Sequence, residues 1–89
     1  MTRCSDFLPD DRWRPIVTSL RLSGREADIL RGLLDDEPEA TIASRLRISA
    51  HTVHTHLERL YRKLAVNSRC QAVARVFAEY VRLYERVGS

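Results

Sequence analysis

The 89-residue chain has only two cysteines, Cys4 and Cys70, together with three glycines, three prolines and one tryptophan. Two cysteines cannot build a disulfide framework, and without a C-x-x-C pair they do not suggest zinc; reduced, incidental thiols are expected. No run approaches the roughly 18 apolar residues that a membrane span requires, and the N-terminus lacks a signal-peptide core. The expectation is a cytoplasmic protein with no membrane partner. There is no glycine-rich phosphate loop, no internal repeat and no alternating apolar pattern that would form strands. No nucleophile, base and orienting group can be assembled, so Ser23, Ser49 and Ser68 are read as helix caps and the protein as a non-enzyme. Of His51, His54 and His56, only the first two have the spacing of a helical ligand pair, and no nearby Cys or Asp completes a shell. Neither a metal nor a cofactor is expected. The length allows one small core and no second lobe.

What the chain does have is one strongly patterned stretch, LRISAHTVHTHLERLYRKL, from Leu46 to Leu64. Val53, Leu57, Leu60 and Leu64 recur at the spacing that gathers them into a narrow helical stripe. The opposite side carries His51, Thr55, Glu58 and Arg62, flanked by His54 and Arg59. Such a helix buries one edge and turns a hydrogen-bonding edge outward. Charge is segregated in the same region. Between residues 20 and 44, Arg21, Arg25 and Arg31 stand against six carboxylates, a balance of −3. Between residues 45 and 75, Arg45, Arg47, Arg59, Arg62, Lys63, Arg69 and Arg75 stand against Glu58 alone, a balance of +6. The two ends are neutral in sum, so the field that suits a polyanion sits on the patterned helix.

In chain order, residues 1–9 show no period and read as a mobile arm. Asp10 or Asp11 is expected to cap a short helix with Trp13, Ile16, Val17 and Leu20 on one face, Trp13 as a packing anchor and Pro15 as its weak point. Ser23-Gly24-Arg25-Glu26 is a capping box that opens a helix through about Leu34, with Ala27, Leu30, Leu33 and Leu34 inward. The acidic run before Pro38 ends it. Pro38 suits the first turn of a shorter helix, with Glu39 near its positive end and Ile42, Ala43 and Leu46 on its apolar edge. Arg47 and Ile48 form the turn and Ser49 caps the long helix. Two helices so joined, the second amphipathic and basic, are a helix-turn-helix signature. Ser68-Arg69-Cys70-Gln71 is a second capping box, opening a last helix with the stripe Val73, Val76, Phe77, Tyr80, Tyr84 and Val87. The fold class is all-α. Residues 1–20 are an arm and short helix, and residues 21–89 the main domain with an extended C-terminal helix.

Leu22-Ser23-x-Arg25-Glu26, Ile42-Ala43-x-x-Leu46-x-Ile48-Ser49-x-x-Thr52-Val53-x-x-His56, and Lys63-Leu64-x-Val66-x-x-Arg69 followed by Ala72-Val73 resemble the LuxR/FixJ/GerE-type helix-turn-helix over about residues 20–77. The resemblance implies a four-helix domain, here with an extra N-terminal helix, that binds double-stranded DNA as a transcription regulator, often as a dimer. It implies that helix 50–64 enters the major groove, with His54, Thr55 and Glu58 facing base edges. Thr52, Arg62 and Lys63 match phosphate-contacting positions, and His56 a histidine turned toward the domain body. From the residue pattern itself, His51 joins the base-facing set and Arg45, Arg47 and Arg59 the phosphate-facing set.

The chain departs from the family pattern in four places. His54 stands for a usual lysine, and Glu58 puts a carboxylate among base-facing positions. Ala65 replaces a usual glycine, and Glu39-Ala40-Thr41 replaces a more basic start. Glu58 can accept from cytosine N4, while nonspecific affinity is expected to fall. The last helix has two competing uses. Tyr80, Tyr84 and Val87 form a homodimer seam, as this helix does in relatives, or they cover Trp13, Ile16 and Val17. The first is slightly favoured. Two other readings fit the sequence: a sigma-factor-like promoter-reading module working with RNA polymerase, and an adaptor that binds a regulatory protein and has lost DNA.

Overall fold

Local chemistry starts and stops each helix. The computed structural model of the chain describes residues 8–84. Those residues form five helices and no strands: α1 (Asp10–Ser19), α2 (Gly24–Leu34), α3 (Glu39–Leu46), α4 (Ala50–Leu64) and α5 (Arg69–Tyr84). The Ser23–Glu26 capping box opens α2 with both reciprocal bonds, Glu26 N–H to Ser23 Oγ at 3.1 Å and Ser23 N–H to Glu26 Oε1 at 2.8 Å. Ser49 Oγ accepts from the Thr52 amide and opens α4. At α5 the expected box is modified. Ser68 Oγ accepts from Gln71 N–H, but the Gln71 carboxamide reaches one residue further back, to the Asn67 amide at 2.7 Å.

The first four helices all end alike. Arg21, Asp36, Arg47 and Ala65 are left-handed, with φ between 57° and 59°. The next amide bonds five residues back, Leu22 to Val17, Glu37 to Gly32, Ile48 to Ala43 and Val66 to Tyr61. This is the Schellman closure, which gives the last carbonyls of a helix their partners and usually takes glycine at the left-handed position. Here none of the four is glycine.

α3 crosses α4, α4 packs on α2 and α5, and α1 lies on α5. Ile16, Ile29, Leu30, Ile42, Val53, Leu60 and Val76 are completely buried where these helices meet. Each such side chain stabilises the fold by about 1.5–3 kcal/mol relative to exposure. α3 approaches α2 at Gly32, where a Cβ would lie 2.8 Å from both Ile42 Cγ1 and Glu37 Oε1.

Three expectations about the N-terminal arm and the helix caps are corrected. Leu8, assigned to a mobile arm, is buried, and its carbonyl accepts from the Arg31 guanidinium. Residues 1–7 of that arm lie outside the described residues. Pro9, not an aspartate, occupies the cap position of α1, leaving Asp10 and Asp11 in the first turn, where they complement the helix dipole. Pro15 lies inside α1. It has no N–H for the Asp11 carbonyl, a tolerable loss because Asp11 is on the exposed side. Pro38 likewise caps α3 rather than entering its first turn. Trp13 is buried with the Arg31 guanidinium 5.0 Å over its ring, as a packing anchor should be.

In α5 the inward face is rotated from the expected stripe. Ala72, Val76 and Glu79 are buried, and Phe77 is 38% exposed. The reason is a polar cluster. Glu79 accepts from Ser19 Oγ and from the guanidiniums of Arg75 and Arg82, and Arg82 also reaches Ser19 Oγ at 2.8 Å. These cations and the Ser19 hydroxyl hold the Glu79 carboxyl down at about 2, Arg82 contributing most and burial opposing. The cluster fastens α1 to α5. At the other end of the same contact, Arg12 donates to the Tyr80 hydroxyl at 3.0 Å, and the Tyr84 hydroxyl donates to the Arg12 carbonyl at 3.3 Å.

Candidate nucleic-acid interface

On α4, burying Val53, Leu57, Leu60 and Leu64 leaves a polar edge facing outward, because residues three and four apart share a side of a helix. His51, His54, Glu58, Arg59 and Arg62 are exposed along it; Thr52, Thr55 and His56 are half-buried. The two threonine hydroxyls are already engaged. Thr55 Oγ1 donates to the His51 carbonyl at 3.1 Å, and Thr52 Oγ1 shares a 2.8 Å hydrogen bond with Ser49 Oγ. Their remaining lone pairs and methyl groups are what they can offer outward.

The cations divide into two groups. Arg47, in the left-handed turn between α3 and α4, and Arg59 and Arg62 on α4 make no ion pair among the described residues. Their guanidiniums are open to an incoming anion. Arg45 and Lys63 are engaged within the domain. Arg45 places two nitrogens on Glu37 Oε1, at 2.8 and 3.2 Å. Lys63 Nζ meets Glu26 Oε1 at 2.9 Å and the Arg21 carbonyl at 2.8 Å. Lys63 thus joins the end of α4 to the capping box of α2. That hydrogen bond, followed by the Ser23 amide, holds the Glu26 carboxyl below its ordinary range.

The carboxylate among the base-facing candidates lies against an imidazole. His54 Nε2 lies 2.9 Å from Glu58 Oε1, one turn along α4, and its Nδ1 lies 3.5 Å from Glu39 Oε1 on α3. The four-residue spacing of His54 and Glu58 is visible in the sequence. The part of Glu39 is not, because it depends on how α3 crosses α4. Glu39 also stands near Tyr61, whose phenol is pushed up by burial first and by Glu39 besides, with Arg69 opposing.

Tyr80 and Tyr84, the described members of the expected seam, turn toward α1. Their rings sit 5.0 Å apart, and the Arg12 guanidinium lies 5.0 Å over the Tyr84 ring. Val87 lies outside the described residues. The large hydrophobics most exposed on α5 are Phe77 and Val81, at 38% and 46%. With exposed Cys70, Ala74 and Ala78 they make an uncharged outer face along the helix. No described helix is long and apolar enough to cross a membrane.

The family described as bacterial regulatory proteins, luxR family, matches residues 20–76. Among curated proteins, the chain is 44% identical over 71 residues to a putative HTH-type transcriptional regulator, YhjB, of Escherichia coli, covering 74% of this chain and 35% of that protein. It is 42% identical over 53 residues to the probable transcriptional regulatory protein NarL of Mycobacterium tuberculosis, covering 60% and 24%. It is 45% identical over 56 residues to the CsgBAC operon transcriptional regulatory protein of Escherichia coli, covering 63% and 26%. The chain therefore spans about a third or less of these relatives' length. No solved structure matches it.

Proposed function

The chain belongs to the luxR family of bacterial regulatory proteins, and from that premise we propose that it is a sequence-specific, DNA-binding transcription regulator that lays α4 in the major groove. The observation that carries this reading is the outward edge of α4. Three unpaired guanidiniums, Arg47, Arg59 and Arg62, flank a row of hydrogen-bonding side chains, while the other edge is fully buried. Guanidiniums supply sequence-independent affinity for phosphates, and His51, His54, Thr55 and Glu58 supply selectivity at base edges. Thr52 meets a phosphate at the start of α4. Arg45 and Lys63 contribute less, because each must leave an internal carboxylate to reach DNA. With three phosphates neutralised per protomer, log K should fall with log salt at a slope of about −2.7 for one protomer and about −5 for a bound dimer.

Two copies meet through the uncharged outer face of α5, centred on Phe77 and Val81. That position is supported by the contacts of Tyr80 and Tyr84 with Arg12, which occupy them within one chain. In this reading the protein works in the cytoplasm, carries no cofactor and catalyses nothing. The test is a titration against random duplex libraries at low and moderate salt, sequencing what is retained. A palindromic motif should emerge. Arg62→Ala should weaken retention of every sequence alike, and His54→Ala should change which sequences win. Retention only in the presence of RNA polymerase would point to a promoter-reading module instead. No retention at about 50 mM salt, where phosphate contacts are strong, would leave the protein-binding adaptor, for which the exposed carboxylate of Glu58 speaks.

A further inference from the structure

We propose that Glu39, on the helix before the recognition helix, is a specificity-determining positioning residue that acts on base readout through His54. This rests on the DNA-binding reading above and names a residue outside α4 that sets its preference. The inference starts from a chain of three side chains crossing two helices. Glu39 Oε1 lies 3.5 Å from His54 Nδ1, and His54 Nε2 lies 2.9 Å from Glu58 Oε1. An imidazole can swing about its terminal torsion, which is broad and weakly restricted. When the imidazole is protonated both ring nitrogens carry N–H, and the two carboxylates on either side favour one plane of the ring and bring Glu58 against it.

The consequence falls on Glu58. A carboxylate in the major groove can accept from cytosine N4–H, the one base-edge group there for which it is the preferred partner. Left free on a four-bond side chain, it would sample many rotamers and also meet the repulsion of the phosphates. Paired with the protonated His54 ring, it stays near the base edges with a positive charge beside it. Glu39 keeps that charge in place from α3, whose own position is set by Ile42 and Gly32 in the core. Base preference is thus written partly on the scaffold helix.

The three side chains are 42% to 59% exposed. Ion pairs at such exposure contribute little to stability, so a change in preference can be separated from a change in folding. The experiment selects bound duplexes from a random library with the full chain, its Glu39→Gln variant, His54→Ala, and the double variant. Thermal melting is recorded for each. Glu39→Gln should lower discrimination for cytosine at the Glu58 position by about fivefold or more, the scale of one good base contact. It should leave the melting temperature and the salt slope where they were. In the His54→Ala background it should change nothing further, because the residue through which it acts is gone. Unchanged preference in Glu39→Gln would overturn the inference while leaving the DNA-binding reading intact. So would an equal shift with and without His54, which would mean that Glu39 meets DNA directly. If the unaltered chain retains no duplex, the DNA-binding reading itself fails and this inference with it.

Discussion

Glu79 is the residue at which the fold is most exposed to pH. It is 3% exposed and paired with Arg75, Arg82 and Ser19, and its carboxyl titrates near 2 instead of the usual 4.5. A group whose pKa falls on folding stabilises the protein above its unfolded pKa and loses that contribution as pH falls through the folded one. The loss therefore runs from about pH 4.5 down to about 2. Because Arg75 and Arg82 are partly in solvent, 38% and 55% exposed, the contribution is discounted to roughly 1–3 kcal/mol. Urea melts of the native chain should weaken across that window, and those of Glu79→Gln should be weaker at pH 7 yet flatter below pH 4.5. A parallel pair of curves would remove Glu79 from the account. Ala65 carries the opposite kind of load. Its φ of 58° is a conformation that an L side chain adopts at a cost, and its side chain is exposed. Ala65→Gly should therefore raise stability by about 0.5–1 kcal/mol, read as a higher urea midpoint at unchanged slope.

Among the helices, α4 was the most legible in sequence. Its four-residue apolar stripe, its Ser49 cap and its basic end all point the same way, and local agreement of this kind is what makes a segment readable. The α2 capping box was equally plain. α5 was not, because an apolar stripe there competes with Glu79, and nothing local says that a glutamate should point inward until Ser19, sixty residues earlier, supplies a partner. Leu8 is illegible for the same reason: it is buried in the core, and its carbonyl meets Arg31, 23 residues on, only in the folded chain. At the interface, the cations could be listed from sequence but not sorted. Whether Arg45 and Lys63 are engaged depends on Glu37 and Glu26, which are brought beside them only by tertiary packing. The α2–α3 crossing gives the sharpest test at this scale. Gly32→Ala should improve intrinsic helix propensity by nearly 1 kcal/mol. The new methyl would overlap Ile42 and Glu37, and overpacking costs typically 1–3 kcal/mol. Crowding should win, lowering the melting temperature. A rise would show that α3 can move aside freely.

For the molecule as a whole, charge and apolar surface are sorted onto different faces. Three cations without an ion pair, Arg47, Arg59 and Arg62, lie on α4 and its preceding turn, while the outer face of α5 carries no charge, so two copies meeting there would bury no ionised side chain of that face. Val81→Asp should give a monomer by light scattering, with the helical content by circular dichroism unchanged; an unaltered mass would place the seam elsewhere. DNA affinity should fall with it, since linked modules gain from simultaneous engagement. The pairing of α1 with α5 also has a meaning in time. The contacts Arg12–Tyr84 and Ser19–Glu79 join the first described helix to the last. On the ribosome, where chains emerge N-terminus first, α1 can meet Arg31 of α2 early, through Trp13 and the Leu8 carbonyl, but the partners of Arg12 and Ser19 on α5 come only later. Those contacts close only after the whole DNA-reading unit and α5 have been synthesised. The seam between α1 and α5 is thus closed by the end of the described chain and not by its beginning.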